Sequence, residues 1–116
     1  MDFLTITRAY VPSKTVRRLR YAFKDKKHEY RRKAVSALVD NGLARAKAEI
    51  FARTLTAHHI VPLSLGGTND PSNIVFVREE DHRRIHAFID AQRGEIVRIP
   101  VQKKGEIWDS TYELGL

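Results

Sequence analysis

Residues 57–89 read AHHIVPLSLGGTNDPSNIVFVREEDHRRIHAFI, and their pattern gives the clearest indication of secondary structure in the sequence. Short apolar runs at residues 57–61 and 74–77 predict two strands, and the residues between them, rich in glycine, asparagine and proline, are typical of a loop. From Glu79 onward apolar residues recur at helical spacing, with acidic residues in the first turn. We therefore expect a hairpin of two paired strands that is followed directly by a helix.

Four of the five histidines lie in this stretch. His82 and His86 are four residues apart on the predicted helix, so their imidazoles share one face and can reach one metal ion. His58 and His59 are neighbours on the predicted strand, so their side chains must point to opposite faces. The one that faces the helix can complete the metal site, and the other is free to take a proton from water.

The order and spacing of these residues resemble the signature of the HNH nuclease family. The resemblance covers residues 57–89, about a third of the chain, and is carried by His58, His59, Pro62, Gly66, Gly67, Asn73, His82 and His86. It implies a ββα-metal fold, in which a hairpin and a helix hold one divalent cation beside the scissile phosphate.

Residue roles follow from the resemblance by position. It implies that His58 is the first metal ligand, that His82 is the second, and that His86 is a third ligand or a phosphate contact. It also implies that His59 is the general base that activates water. Asn73 corresponds to the amide that holds the long loop closed by hydrogen bonding back toward the base.

The chain departs from many family members because it has no cysteine, so the paired cysteines that bind a structural zinc are absent. Val77, Arg78 and Asp81 occupy that neighbourhood. The motif is similar to the cysteine-free, colicin-like branch, although nothing outside it indicates toxin modules. We expect the hairpin and helix to be held instead by packing of Ile60, Ile74, Phe76, Ile85, Phe88 and Ile89.

The sequence predicts one divalent metal ion but does not fix its identity. Imidazole-rich coordination suits Zn, Ni, Co or Mn better than Mg. An open site that also uses substrate oxygens and waters can employ Mg. All five metals therefore stay candidates.

Composition and charge favour a folded protein with a polyanionic partner. The 116 residues are 42% hydrophobic, and 21 lysines and arginines against 14 acidic residues give a formal charge of +7. No apolar run approaches the ~20 residues of a bilayer span, and the N-terminus lacks the order of a secretion signal. We expect a soluble, unprocessed, cytoplasmic protein with no membrane partner.

Basic residues are concentrated in residues 14–33, which contain ten lysines and arginines against two acids. We interpret this stretch as a track for the DNA backbone, with a merely solvated helical face as the alternative. The residues assigned to it are Lys14, Arg17, Arg18, Arg20 and Lys24. Closer to the motif, Arg53, Arg78, Arg83 and Arg84 are predicted phosphate contacts, although Arg84 could equally pair with Glu80.

Upstream of the motif, residues 2–11 predict a short strand or an extended arm that is closed by Pro12. Ser13 is expected to cap the helical pattern that follows and ends at Asn41-Gly42. This pattern fits one long helix or two helices joined near Asp25.

Residues 43–55 predict a further helix. Downstream, residues 95–101 and 106–108 alternate in a way that predicts a C-terminal hairpin or a flap. We expect a single α+β domain over residues 1–116, made of a basic helical part (1–56), a ββα-metal motif (57–93) and the hairpin or flap (94–116).

As an activity, the resemblance implies a metal-dependent endonuclease that cuts DNA, double-stranded DNA in particular, and leaves 5′-phosphate and 3′-hydroxyl ends. Two alternatives stay open. One is a catalytically silent protein of the same fold that binds DNA or assists packaging, and the other is a ribonuclease.

Overall fold

A computed structural model describes residues 2–101, and this part of the chain is an α+β fold with three α-helices and two small antiparallel sheets. Its elements are β1 (Asp2–Thr7), α1 (Ser13–Asp40), α2 (Arg45–Arg53), β2 (Leu55–His59), β3 (Ile74–Arg78), α3 (Glu79–Asp90) and β4 (Ile96–Val101). Two single 3₁₀ turns, Leu63–Leu65 and Pro71–Asn73, lie in the loop between β2 and β3.

The predicted hairpin and helix are present. β2 pairs antiparallel with β3, with His58 opposite Val75 and His59 opposite Ile74. α3 begins at the residue after β3 ends. However, β2 ends at His59 rather than at residue 61, because the backbone N–H and carbonyl of Val61 bond to the side chain of Asn73 instead of to a neighbouring strand.

The long N-terminal pattern forms one helix, α1, of 28 residues. It ends before Asn41-Gly42 as predicted, and Gly42 adopts a left-handed φ of 99° that favours glycine. The expected cap was wrong: Pro12 occupies the cap position without a side-chain hydrogen bond, and Ser13 is already the first helical residue. None of the helices in residues 2–101 combines the length and the apolar character of a bilayer span.

The predicted strand at residues 95–101 is present as β4, and within the described residues it pairs with the N-terminal strand. β4 pairs antiparallel with β1 in a register that runs from Asp2 opposite Val101 to Thr7 opposite Ile96. The other half of the predicted hairpin, residues 106–108, lies outside the described residues, as does the rest of the predicted flap after residue 101. The first and last strands of the described residues therefore form one two-stranded sheet.

The main core lies where α3 packs against β3 and β4. It contains Val77, Ile85, Ile89, Val97 and Ile99, with Ile6, Ile60, Leu65, Val75 and Phe88 partly buried against it. The expectation for Ile74 and Phe76 was wrong, because β3 presents Val75 and Val77 to this core instead. Phe76 lies on the opposite face, where the guanidinium of Arg31 covers its ring at 5.2 Å.

α1 is fastened to the hairpin from that opposite face. The guanidinium of Arg31 donates to the carbonyl oxygens of Ala52, in the last turn of α2, and of Leu55, at the start of β2. The last carbonyls of a helix have no intrahelical partners, so the contact with Ala52 satisfies one of them. It also holds α1 beside the strand that carries His58 and His59.

Candidate active site

Three histidines from two elements converge between β2 and α3. His58 extends from β2, and His82 and His86 extend from successive turns of α3. One ring nitrogen of each lies within 4.8 Å of the others, and the Nε2 atoms of His82 and His86 are 3.0 Å apart. Three nitrogens at this separation can coordinate one cation.

His58 is the strongest indication of a metal. Its side chain is completely buried, and neither ring nitrogen has a hydrogen-bond partner within residues 2–101. A buried polar group without a partner is costly, and a cation would supply the missing interaction. Burial, together with the neighbouring imidazoles of His82 and His86, lowers the pKa of His58 to about 3.

His82 is kept neutral for the same reasons. Burial lowers its pKa, and the nearby His86 acts in the same direction, while Glu79 opposes them. A neutral imidazole has the lone pair that a metal ligand needs. The donor set of three imidazoles therefore fits a divalent transition metal.

His59 lies on the other side of β2, as strand alternation predicts. Its ring meets the edge of Phe23 from α1, with centroids 4.6 Å apart, and its Nε2 lies 2.8 Å from Oδ1 of Asn69. Burial lowers the pKa of His59, the hydrogen bond to Asn69 opposes this, and the charge of Arg20 lowers it further. The ring can accordingly accept a proton near neutral pH.

His59 and the three clustered histidines lie on opposite sides of the hairpin, but His59, His82 and His86 border the same cleft. His59 is the last residue of β2, and it lines a cavity of about 410 Å³ together with His82 and His86. Arg8 and Arg20 line the same cavity. A cleft with imidazole nitrogens that could hold a metal ion, a neutral imidazole and two cations is suited to a phosphate diester.

Asn73 closes the loop between the strands. Its side-chain amide donates to the carbonyl oxygens of Val61 at 3.1 Å and Thr68 at 2.8 Å, and its Oδ1 accepts from the amide of Val61 at 2.9 Å. These bonds reach the residues that follow His59 in the chain, and none of them reaches the imidazole itself. The side chain that contacts the ring is Asn69, from the same loop.

Asn69 and Arg8 are site residues that sequence reasoning missed. Asn69 precedes Asp70-Pro71 in a loop rich in turn residues, so its side chain gave no separate signal. Arg8 follows β1 and donates to the carbonyl oxygens of Gly94 at 3.0 Å and Gln92 at 2.9 Å. These contacts of Arg8 could not be predicted, because hydrogen bonds between residues 84 and 86 positions apart leave no periodic pattern in the sequence.

The predicted basic residues fall into different environments. Arg20 borders the cleft, whereas the other residues of the proposed track and the two remaining motif arginines are exposed: Lys14, Arg17, Arg18, Lys24, Arg53 and Arg83. Arg78 and Arg84 both pair with the buried Asp81, with N···O distances of 2.6 and 3.8 Å.

Arg84 also pairs with Glu80 at 3.8 Å, which was the alternative considered for it. Asp81 is completely buried, and a buried carboxylate requires such compensation. Arg8 and Arg20, which line the cleft itself, are therefore better placed than Arg78 and Arg84 to contact a phosphate.

A paired hairpin, a helix that follows it and a cluster of histidines between them define the ββα-metal class of fold. The family model of HNH endonucleases matches residues 46–88, which include β2, β3, the three clustered histidines and His59. This match agrees with the resemblance of the motif to the HNH family. Comparisons with curated proteins and with solved structures find no match.

Proposed function

We propose that this protein is a metal-dependent endonuclease that hydrolyses phosphodiester bonds of DNA. The observation that carries the proposal is the cleft in which His59, His82 and His86 meet Arg8 and Arg20. Phosphodiester hydrolysis needs an aligned nucleophile, neutralisation of growing negative charge and help for the departing oxygen. The residues around this cleft can meet each of these needs.

The buried His58 and its neighbours on α3 are the proposed metal ligands. His58, His82 and His86 would hold one divalent cation, which when bound would neutralise charge on the phosphate and on the departing oxygen. Zn, Ni, Co, Mn and Mg are the candidates, since three imidazoles favour the first four and an open site admits Mg.

His59 is the proposed general base. It stands at the cleft, it is held by Asn69 and Phe23, and burial favours its neutral form. In this role it takes a proton from the water that attacks the phosphorus atom. Arg20 and Arg8 would bind the phosphate oxygens and keep the diester in line with that water.

Double-stranded DNA is the proposed substrate because a basic stripe leads away from the cleft. Arg17, Arg20 and Lys24 are spaced three and four residues apart, so they lie along one side of α1. Arg20 borders the cleft, and the other two are exposed. Lys14 and Arg18 extend the basic surface, so a nucleic-acid backbone can follow the helix into the site.

The test is cleavage of supercoiled plasmid and of an RNA of matched length by the full chain, across the five metals and after chelation. We expect metal-dependent nicking or linearisation of the plasmid, with 5′-phosphate and 3′-hydroxyl ends. Plasmid binding without cleavage under every metal would instead identify a silent DNA-binding protein. Cleavage of RNA alone would identify a ribonuclease.

A further inference from the structure

The side chain of Asn69 bridges the imidazole of His59 and the backbone of α1. Its Oδ1 lies 2.8 Å from Nε2 of His59, and its Nδ2 lies 2.8 Å from the carbonyl oxygen of Leu19. Leu19 belongs to α1, which precedes the segment that matches the family model. The bridge therefore joins the HNH motif to a part of the chain outside it.

The direction of these two hydrogen bonds is fixed by chemistry. A backbone carbonyl oxygen only accepts, so the amide nitrogen of Asn69 must face Leu19 and its oxygen must face His59. That oxygen also only accepts, so the neutral His59 ring must carry its hydrogen on Nε2. The lone pair is then on Nδ1, which forms no hydrogen bond within residues 2–101.

The position of Asn69 is itself held by α1. The hydroxyl of Tyr30 donates to the carbonyl oxygen of Asn69 at 2.7 Å. Tyr30 is buried and stacks on Phe23 with ring centroids 5.6 Å apart, and Phe23 in turn contacts the ring of His59. Asn69 is thus fastened through its backbone and its side chain, which leaves the amide little freedom to rotate or flip.

We propose that Asn69 is a positioning residue that holds His59 in the Nε2–H tautomer and thereby makes Nδ1 the atom that takes the proton from water. This inference rests on the proposed role of His59 as the general base. It assigns α1, through Leu19 and Tyr30, a direct part in aligning that base. Asn73, four residues further on, keeps a separate task, since it closes the loop without touching the ring.

The first measurement is ¹⁵N NMR of the imidazoles in the full chain loaded with Zn²⁺, with the His59 signals assigned from a His59→Gln variant. Nitrogens that carry hydrogen and nitrogens with a free lone pair resonate well apart. We expect the wild-type His59 to show a hydrogen on Nε2 and a lone pair on Nδ1. A hydrogen on Nδ1 would overturn the proposal.

The second measurement compares Asn69→Leu, which removes both hydrogen bonds at similar volume, with the wild-type protein. We expect the His59 signals to shift toward a mixture of tautomers and kcat to fall by about 10- to 100-fold, with KM nearly unchanged, as for a misaligned base. Asn69→Ala serves as a second variant if the leucine does not fold. Wild-type kcat in either variant would overturn the proposal.

Ser72→Ala is the matched control, because it removes a hydrogen bond to Asp70 from the same loop and does not contact His59. We expect its kcat and its His59 signals to match the wild type. A loss equal to that of Asn69→Leu would mean that general loop order, not the bridge, controls the rate. A chain that shows the expected tautomer but cleaves nothing would refute the proposed nuclease function and leave the tautomer assignment intact.

Discussion

Two adjacent and chemically identical side chains, His58 and His59, occupy different environments in this protein. His58 is completely buried beside two further imidazoles, whereas His59 lies at the cleft against Asn69 and Phe23. The alternation of side chains along a strand is enough to predict that the two rings face opposite ways. The hydrogen bond of Asn69 to Leu19 could not be predicted, because 50 residues separate the partners in the chain.

Asp81 provides a test at the scale of single residues. It is buried in the first turn of α3, and Asp81→Ala removes the carboxylate that Arg78 contacts at 2.6 Å and Arg84 at 3.8 Å. We expect a loss of about 2 kcal/mol in the free energy of unfolding, less than for a fully buried pair because Arg78 is partly exposed. Urea denaturation measures this value.

Glu80→Ala is the control for that measurement. Glu80 pairs with Arg84 at 3.8 Å on the exposed side of the same helix. Exposed pairs contribute little, so we expect a change below about 0.5 kcal/mol. Equal losses in the two variants would show that the burial of Asp81 does not matter for stability.

Among the elements, the hairpin and α3 were predictable because turn residues and helical periodicity mark them clearly. The faces of β3 were not, since Ile74, Val75, Phe76 and Val77 are all apolar and give no alternation to separate core from surface. The end of β2 was misplaced because the closing contacts come from Asn73 in the loop. Contacts with other parts of the fold therefore decide which face of β3 is buried and where β2 ends.

The Gly66-Gly67 turn gives a prediction at the scale of the loop. A Cβ on Gly67 would lie 1.8 Å from the carbonyl oxygen of Val61, so backbone would have to move. We expect Gly67→Ala to cost about 2 to 3 kcal/mol, since overpacking against backbone cannot relax cheaply. Thermal and urea denaturation of the variant measure this cost.

Gly94→Ala is the matched control for Gly67→Ala. Its nearest neighbours would lie 3.9 Å from an added Cβ, which is ordinary contact. We expect its stability to stay within about 0.5 kcal/mol of the wild type. If Gly67→Ala is equally stable, the tight approach of the loop to Val61 is not required.

For the whole molecule, we propose that the described elements form one domain. β1 and β4 flank the HNH segment in the chain and pair with each other, so the segment is enclosed between them. The pairing of β1 with β4 could not be predicted, because nothing in either strand specifies a partner 89 to 99 residues away. The net charge of +7 follows from the composition alone. That the basic side of α1 reaches the cleft at Arg20 could be seen only in the structure.

The basic stripe of α1 predicts the salt dependence of DNA binding. Replacing Arg17 and Lys24 together with glutamine removes two proposed phosphate contacts. The slope of log affinity against log salt should therefore fall in magnitude by about 2, since each contact contributes about 0.9. Fluorescence anisotropy of a labelled duplex over a salt series measures the slope.

A control with the same change in net charge uses Arg45 and Lys47, which are exposed on α2 and outside the proposed track. Replacing both with glutamine should leave the slope close to that of the wild type. If the two double variants behave alike, total charge governs binding and the stripe on α1 has no special role.

Our claim is that His59 and the three clustered histidines have separate roles, which calorimetric metal titration paired with plasmid nicking can distinguish. We predict that His59→Ala binds metal like the wild type while the rate of hydrolysis falls by about 10²- to 10⁴-fold, the scale of general-base loss. His82→Ala should instead lose metal affinity, because it removes one of the three ligands. Loss of metal binding in His59→Ala as severe as in His82→Ala, or wild-type cleavage by His59→Ala, would contradict the claim.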